Sequence, residues 1–170
     1  MSSIEKFSIG VVGLGTVGAA SIKLLESQLN NINIKSGKEI IIRAVSARNF
    51  SKTRNFDLSK YEWEEDPIKL TSRNDIDAIV ELVGGSDGLA KELAYAAIKN
   101  KKHFITANKA LIAKYGYDLT SIVANTDTAI YYEAAVAGAI PVINSIKEGL
   151  VSNNILKMQA ILNGTCNYIL

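Results

Sequence analysis

Apolar residues recur along this chain in two alternating rhythms. Phe7-Ser-Ile-Gly-Val-Val12 is a short apolar run closed by Gly13-Leu-Gly-Thr-Val-Gly18, and beyond it Ile22, Leu25 and Leu29 fall at helical intervals within residues 19–29. That order predicts strand, tight turn, helix. Residues 30–37 are polar and predict a loop; residues 39–46 are rich in β-branched side chains and predict a second strand. Residues 48–66 show no sustained period, so a loop is expected there, with one short helix around residues 61–65. Residues 77–83 predict a third strand ending in Gly84-Gly85. Residues 88–99 then predict a helix with Leu89, Leu93, Ala96 and Ala97 on one face. The unit repeats, with a strand at 103–106, a helix at 109–125 and a strand at 129–133.

Five strands alternating with helices at this spacing imply a parallel sheet covered on both faces, an α/β fold of the Rossmann-like, doubly wound kind. After Glu133 the rhythm changes. Residues 134–141 are small and apolar, 142–150 predict a helix, and 154–161 predict a strand feeding Asn163-Gly-Thr165. A boundary is therefore expected near residue 134. Residues 1–133 are then expected to form one domain, and 134–170 to begin a second, α+β one, too short for a core of its own.

Composition narrows the class. With 48% hydrophobic residues and a formal net charge of +2 over 170 residues, the chain can offset its ordering entropy by burial, which excludes disorder. Its single Cys166 has no partner within the chain, which excludes a disulfide scaffold and points to a reducing compartment. Nineteen basic and 17 acidic residues leave too little field to drive general nucleic-acid binding. No apolar run is long enough to span a membrane, and the polar start does not read as a secretory signal. A cytoplasmic protein is the expectation, with a small-molecule substrate and neither nucleic acid nor membrane as partner.

Gly13-x-Gly15-x-x-Gly18 between strand and helix is the strongest chemical signal. The first glycine permits the tight turn, the second lets backbone approach a pyrophosphate, and the third lets helix and sheet pack closely. Helix-start N–H groups then receive phosphate oxygens. The same pattern also serves a purely structural turn. At the end of the second strand, where NAD sites usually place an acidic residue, the chain reads Ser46-Ala47-Arg48, with Lys52 and Arg54 close behind. A guanidinium pairs with a 2′-phosphate, so Arg48 favours NADP, with NAD as the alternative and a solvated basic loop as the plainer reading. Gly84-Gly85 and Thr106-Ala-Asn-Lys109 both end strands at the carboxyl edge, where open α/β sheets bind ligands. There Gly84 and Gly85 suit the nicotinamide half or an ordinary turn, and Lys109 suits a catalytic lysine or a surface one.

Taken in order, these segments, together with Glu133-Ala-Ala-Val-Ala-Gly-Ala-Ile-Pro141 and Asn163-Gly-Thr-Cys-Asn-Tyr-Ile-Leu170, closely resemble the homoserine dehydrogenase family over nearly the whole chain. The resemblance implies interconversion of L-aspartate 4-semialdehyde and L-homoserine with NAD(P)H, in threonine, methionine and isoleucine biosynthesis. It implies that Gly13, Gly15, Thr16, Val17 and Gly18 hold the pyrophosphate, Arg48 the adenosine end, and that Lys109 sits beside the nicotinamide and reacting carbon. It places Gly164 and Thr165 in the substrate pocket. It also implies a monovalent cation such as Na+ at Glu133 and the carbonyls of Val136, Gly138 and Ile140, where Glu133 as a simple strand-end carboxylate is the alternative. The family's principal acid/base residues lie downstream of Asn-Gly-Thr, and its members are commonly homodimers. The competing class is a stand-alone NADP-binding module or regulatory fragment that catalyses nothing.

Overall fold

The computed structural model describes residues 4–160. Gly164, Thr165 and Cys166, and with them the substrate-pocket reading, lie outside those residues. Six parallel strands form one sheet in the order β3-β2-β1-β4-β5-β6. They are β1 (Glu5–Val12), β2 (Lys38–Ser46), β3 (Glu62–Trp63), β4 (Ala78–Glu81), β5 (His103–Thr106) and β6 (Ile130–Tyr131). Helices α1 (Thr16–Ser36), α2 (Lys69–Ser72), α3 (Leu89–Lys99) and α4 (Lys109–Val123) connect them, followed by α5 (Glu133–Val136) and α6 (Val142–Asn144). This is the Rossmann-like arrangement that the alternating rhythms predict.

Each face of the sheet has its own core. Ile22 of α1 packs with Ile9, Val11 and Val45, while Leu93 of α3 and Leu111 and Leu119 of α4 pack with Ile79 and Phe104. Strand order reverses at β1, which pairs with β2 on one side and β4 on the other. The connections leave β1 toward one edge and β4 toward the opposite edge. A crevice therefore opens at the carboxyl ends of β1 and β4.

Four local expectations are corrected. Residues 30–36 continue α1 instead of forming a loop. Ile32 extends the Ile22–Leu25–Leu29 stripe, and the helix stops only at Gly37, which takes φ 68° and donates its N–H to the Asn33 carbonyl. The three asparagines lower helix propensity, but the apolar stripe and the terminating glycine outweigh them. Residues 61–65 are not helical: Glu62 and Trp63 form a sixth strand, β3, paired to Ala44 and Val45 of β2, with a short 3₁₀ turn at Leu58–Lys60 before it. Glu133 does not end a strand; β6 stops at Tyr131 and Glu133 opens α5. Residues 154–160 carry no strand and are exposed, because no described segment lies alongside to complete a ladder.

Candidate dinucleotide-binding site

The glycine turn after β1 is built by sterics. Gly13 sits at φ 98°, where a Cβ would lie 2.5 Å from the Leu82 carbonyl oxygen, and its N–H donates to the Ser46 carbonyl at 2.9 Å. A Cβ on Gly18 would lie 1.9 Å from the Gly13 carbonyl oxygen. Gly15 differs from both: a Cβ there meets no protein atom within 4 Å. Its empty side is a cradle that an incoming group can fill. Gly15 caps the 21-residue α1 without a side-chain hydrogen bond, and no acidic residue occupies the first turn. The N–H groups of Thr16, Val17 and Gly18 thus have no intrahelical acceptor, and they stand at the positive end of the helix dipole. Thr16 and Val17 are exposed; Gly18 is buried.

A cavity of about 480 Å³ opens in front of this turn, lined by Gly13, Gly15, Ser46, Arg48, Lys52 and Arg54 on one side and by Leu82, Val83 and Leu89 on another. Three cations against one carboxylate, Glu65, suit a polyanionic ligand. Arg48 and Lys52 are exposed at the mouth. Arg54 is committed to the loop itself. Its guanidinium donates to the carbonyls of Asn49, Phe50 and Lys52 and lies over the Trp63 ring at 5.7 Å. It therefore shapes the basic loop. Ser46 lines the cavity, and its hydroxyl is buried without a hydrogen-bond partner.

Gly84, Gly85 and Lys109 lie outside that cavity, at the carboxyl ends of β4 and β5. Gly84 and Gly85 take φ 84° and 79°, and the loop ends at Gly88 with φ 65°. Lys109 is exposed as the first residue of α4, where the dipole disfavours a cation by roughly 0.3–1 kcal/mol and no acidic first-turn residue offsets it. Asn108 caps that helix, its Oδ1 accepting from the Leu111 N–H at 3.1 Å. The other end of the glycine loop is tied to α4 as well. Asp87 accepts from Lys114 Nζ at 2.8 Å and from the Tyr115 hydroxyl at 2.5 Å. The Lys114 bond, then those from Tyr115 and Ser86, hold the Asp87 carboxyl well below the usual carboxylate range. A lowered native pKa means the tether is fully present above the ordinary value and is lost only as pH falls toward the lowered one. The loop stays pinned at neutral pH.

Glu81, Thr106 and Asn108 escaped the reading of the sequence as functional residues. Glu81 is 0% exposed, and its carboxylate accepts from the N–H groups of Val83 at 2.7 Å and Gly84 at 3.0 Å and from the Thr106 hydroxyl at 2.6 Å. A carboxylate inside an apolar run on a central parallel strand was the available signal, since such strands are otherwise continuously hydrophobic.

Beyond the sheet, the chain folds back on Glu133. Its two carboxylate oxygens accept from the N–H groups of Ile143 at 2.9 Å and Asn144 at 3.0 Å. Val136 and Ile140 are exposed, Ala139 takes φ 65°, and the Ile140 carbonyl accepts from Val142 at 2.8 Å. Glu133, Val136, Gly138 and Ile140 thus share one short reversal of the chain. Among the described residues no cluster of three His, Cys, Asp or Glu side chains forms, and no helix is long and apolar enough to cross a membrane.

A glycine turn feeding an uncapped helix at the switch point of a parallel sheet defines a nucleotide-binding domain of the Rossmann-like class. The family profile described as the NAD-binding domain of homoserine dehydrogenase matches residues 13–133, and that of homoserine dehydrogenase matches residues 141–170. The chain belongs to the homoserine dehydrogenase family. It is 41% identical over 167 residues to the homoserine dehydrogenase of Neisseria gonorrhoeae and 36% identical to that of Bacillus subtilis, covering 98% of this chain in each case. The chain spans 38% of the length of these two relatives. A crystal structure of homoserine dehydrogenase from Thiobacillus denitrificans superposes with a TM-score of 0.80 at 36% identity, over 88% of this chain and 34% of that one.

Proposed function

We propose that this chain supplies the cofactor site and the start of the substrate site of an oxidoreductase that interconverts L-aspartate 4-semialdehyde and L-homoserine with NADP(H), NAD(H) being the weaker cofactor. The observation that carries this reading is the uncapped start of α1 behind the glycine turn, facing a basic cavity, in a chain of this family. Residues 1–133 serve the nucleotide, and residues 134–170 open the substrate and dimerisation domain of a cytoplasmic homodimer.

When bound, the nicotinamide supplies hydride transfer to or from the carbon that is aldehyde in one direction and alcohol in the other. The protein's share is binding, orientation and charge. N–H groups of Thr16, Val17 and Gly18 receive the pyrophosphate oxygens, Gly15 admits them closely, and Arg48 pairs with the 2′-phosphate. Gly84 and Gly85 present bare backbone to the nicotinamide half. Lys109 Nζ holds a proton and a positive charge beside the oxygen that becomes alkoxide, lowering the barrier electrostatically. Gly164 and Thr165 line the substrate pocket, and Glu133 with the carbonyls of Val136, Gly138 and Ile140 receives a monovalent cation such as Na+.

Spectrophotometric assay of L-homoserine oxidation, using the longest natural protein that carries this chain, is expected to show reduced cofactor accumulating with NADP. No turnover with either NADP or NAD would end the enzyme reading. Cofactor choice has its own test. Arg48→Ala is expected to weaken NADPH about tenfold to a hundredfold, the worth of one lost charge-assisted contact, while leaving NADH within about threefold. Equal weakening of the two in calorimetric titration would remove 2′-phosphate recognition from Arg48.

A further inference from the structure

Glu81 is the only ionisable side chain among the described buried polar residues, and it takes part in none of the ion pairs among the described residues. Burying a carboxylate is unfavourable unless its oxygens are hydrogen-bonded, so the donors that meet Glu81 define what it does here. Here the hydrogen bonds close a circuit. From Glu81 Oε1 it runs through the N–H groups of Val83 and Gly84 to the neighbouring Gly85, whose carbonyl accepts from Asn108 Nδ2 at 2.6 Å. Asn108 N–H donates to Thr106 Oγ1 at 2.9 Å, and the Thr106 hydroxyl donates back to Glu81 Oε2 at 2.6 Å.

The circuit begins where the sheet ends. Glu81 and Thr106 are the last register pair of the β4–β5 ladder. Beyond them no backbone ladder joins the two loops, and left-handed glycines at 84, 85 and 88 offer no side chains to hold the backbone. An unrestrained glycine loop would spend its time in many conformations. The circuit fixes it, and the same Asn108 that grips Gly85 also caps α4 immediately before Lys109.

We propose that Glu81, Thr106 and Asn108 are positioning residues that lock the Gly84-Gly85 backbone to the start of α4, presetting the surface that receives the nicotinamide half of the cofactor and the direction of Lys109. This rests on the dinucleotide reading above. The adenosine end depends on Arg48 and the basic loop, which share no hydrogen bond with the circuit. The two halves of the cofactor should therefore respond separately to its loss.

The test titrates this chain calorimetrically with NADPH and with adenosine 2′,5′-bisphosphate, which lacks the nicotinamide half. Thr106→Val keeps the shape and removes the hydroxyl that both donates and accepts. Asn108→Ser keeps a good helix cap but cannot reach Gly85, so it remains informative if the valine variant fails to fold. Each is expected to weaken NADPH about tenfold and adenosine 2′,5′-bisphosphate less than about twofold, with Thr106→Ser restoring the wild-type NADPH affinity. Unchanged NADPH binding in both Thr106→Val and Asn108→Ser would overturn the proposal, as would equal loss of both ligands, which marks plain scaffolding. If the wild-type chain binds neither ligand, the dinucleotide reading fails and this inference falls with it.

Discussion

Gly18→Ala is expected to destabilise the fold by about 3 kcal/mol and to abolish NADPH binding, the upper range of overpacking penalties. The added Cβ would stand 1.9 Å from the Gly13 carbonyl oxygen, and that oxygen belongs to backbone that cannot swing aside. Gly13 is itself held by its N–H bond to Ser46 and by the Leu82 carbonyl against its Cα. Relief would require α1 to lift from the end of β1, exposing the core contacts of Ile22. Gly15→Ala is the matching control. Its Cβ meets no protein atom and its φ of −75° is open to any residue, so stability should stay within about 1 kcal/mol. NADPH affinity should nonetheless fall about tenfold or more, because the methyl occupies the space the pyrophosphate needs. Urea unfolding and calorimetric titration of the two variants separate the effects. A Gly18→Ala midpoint equal to wild type would contradict the steric account, and a Gly15→Ala variant with full affinity would place the phosphates elsewhere.

Glu81→Leu is expected to lower stability by about 3–5 kcal/mol, a large part of the roughly 5–15 kcal/mol typical of a domain. The loss arises from what remains behind. The N–H groups of Val83 and Gly84 and the Thr106 hydroxyl would all lose their acceptor in a buried place. Each orphaned donor forfeits about 1–3 kcal/mol, reduced where the loop relaxes toward water. Glu81→Gln should be milder, since its one oxygen can still accept from the two N–H groups. Denaturant melts of the pair check this: a leucine variant as stable as wild type would show that the carboxylate contributes nothing to the loop, whatever its hydrogen bonds look like.

How far the sequence could be read depended on the range of the interaction concerned. The β1–turn–α1 unit is local: an apolar run, three spaced glycines and a helical stripe all fall within 30 residues and obey near-neighbour sterics. β5 was bounded at His103–Thr106 by the same local contrast of apolar run and flanking polar residues. The polar character of residues 30–37 hides the true end of α1, because the Ile32 stripe continues the helix and only Gly37 stops it. β3 leaves no signature in the sequence, because two residues carry no period. Only pairing with Ala44 and Val45 makes them a strand.

The candidate site divides along the same line. Gly13, Gly15, Arg48 and Lys109 could be named from residue type and position after a strand, since the carboxyl edge of a parallel sheet is where such fragments converge. Glu81, Thr106 and Asn108 could not, because a glutamate in an apolar run says only that some donor must meet it, and those donors lie on another strand and a loop. Nor could Arg54 be told from Arg48: both stand in one basic loop, yet Arg54 is spent on three backbone carbonyls and the Trp63 face.

By itself, then, the sequence determined the alternating α/β architecture, the glycine turn and the family, because periodicity, turn sterics and motif order are properties of contiguous residues. Only the tertiary structure decided which edge strand closes the sheet, which cations face the cavity, and how β4 and β5 are tied beyond their last ladder pair. Those depend on side chains about 25 residues apart in sequence meeting across neighbouring strands, and hydrogen-bond geometry at that range exists only once the sheet has formed.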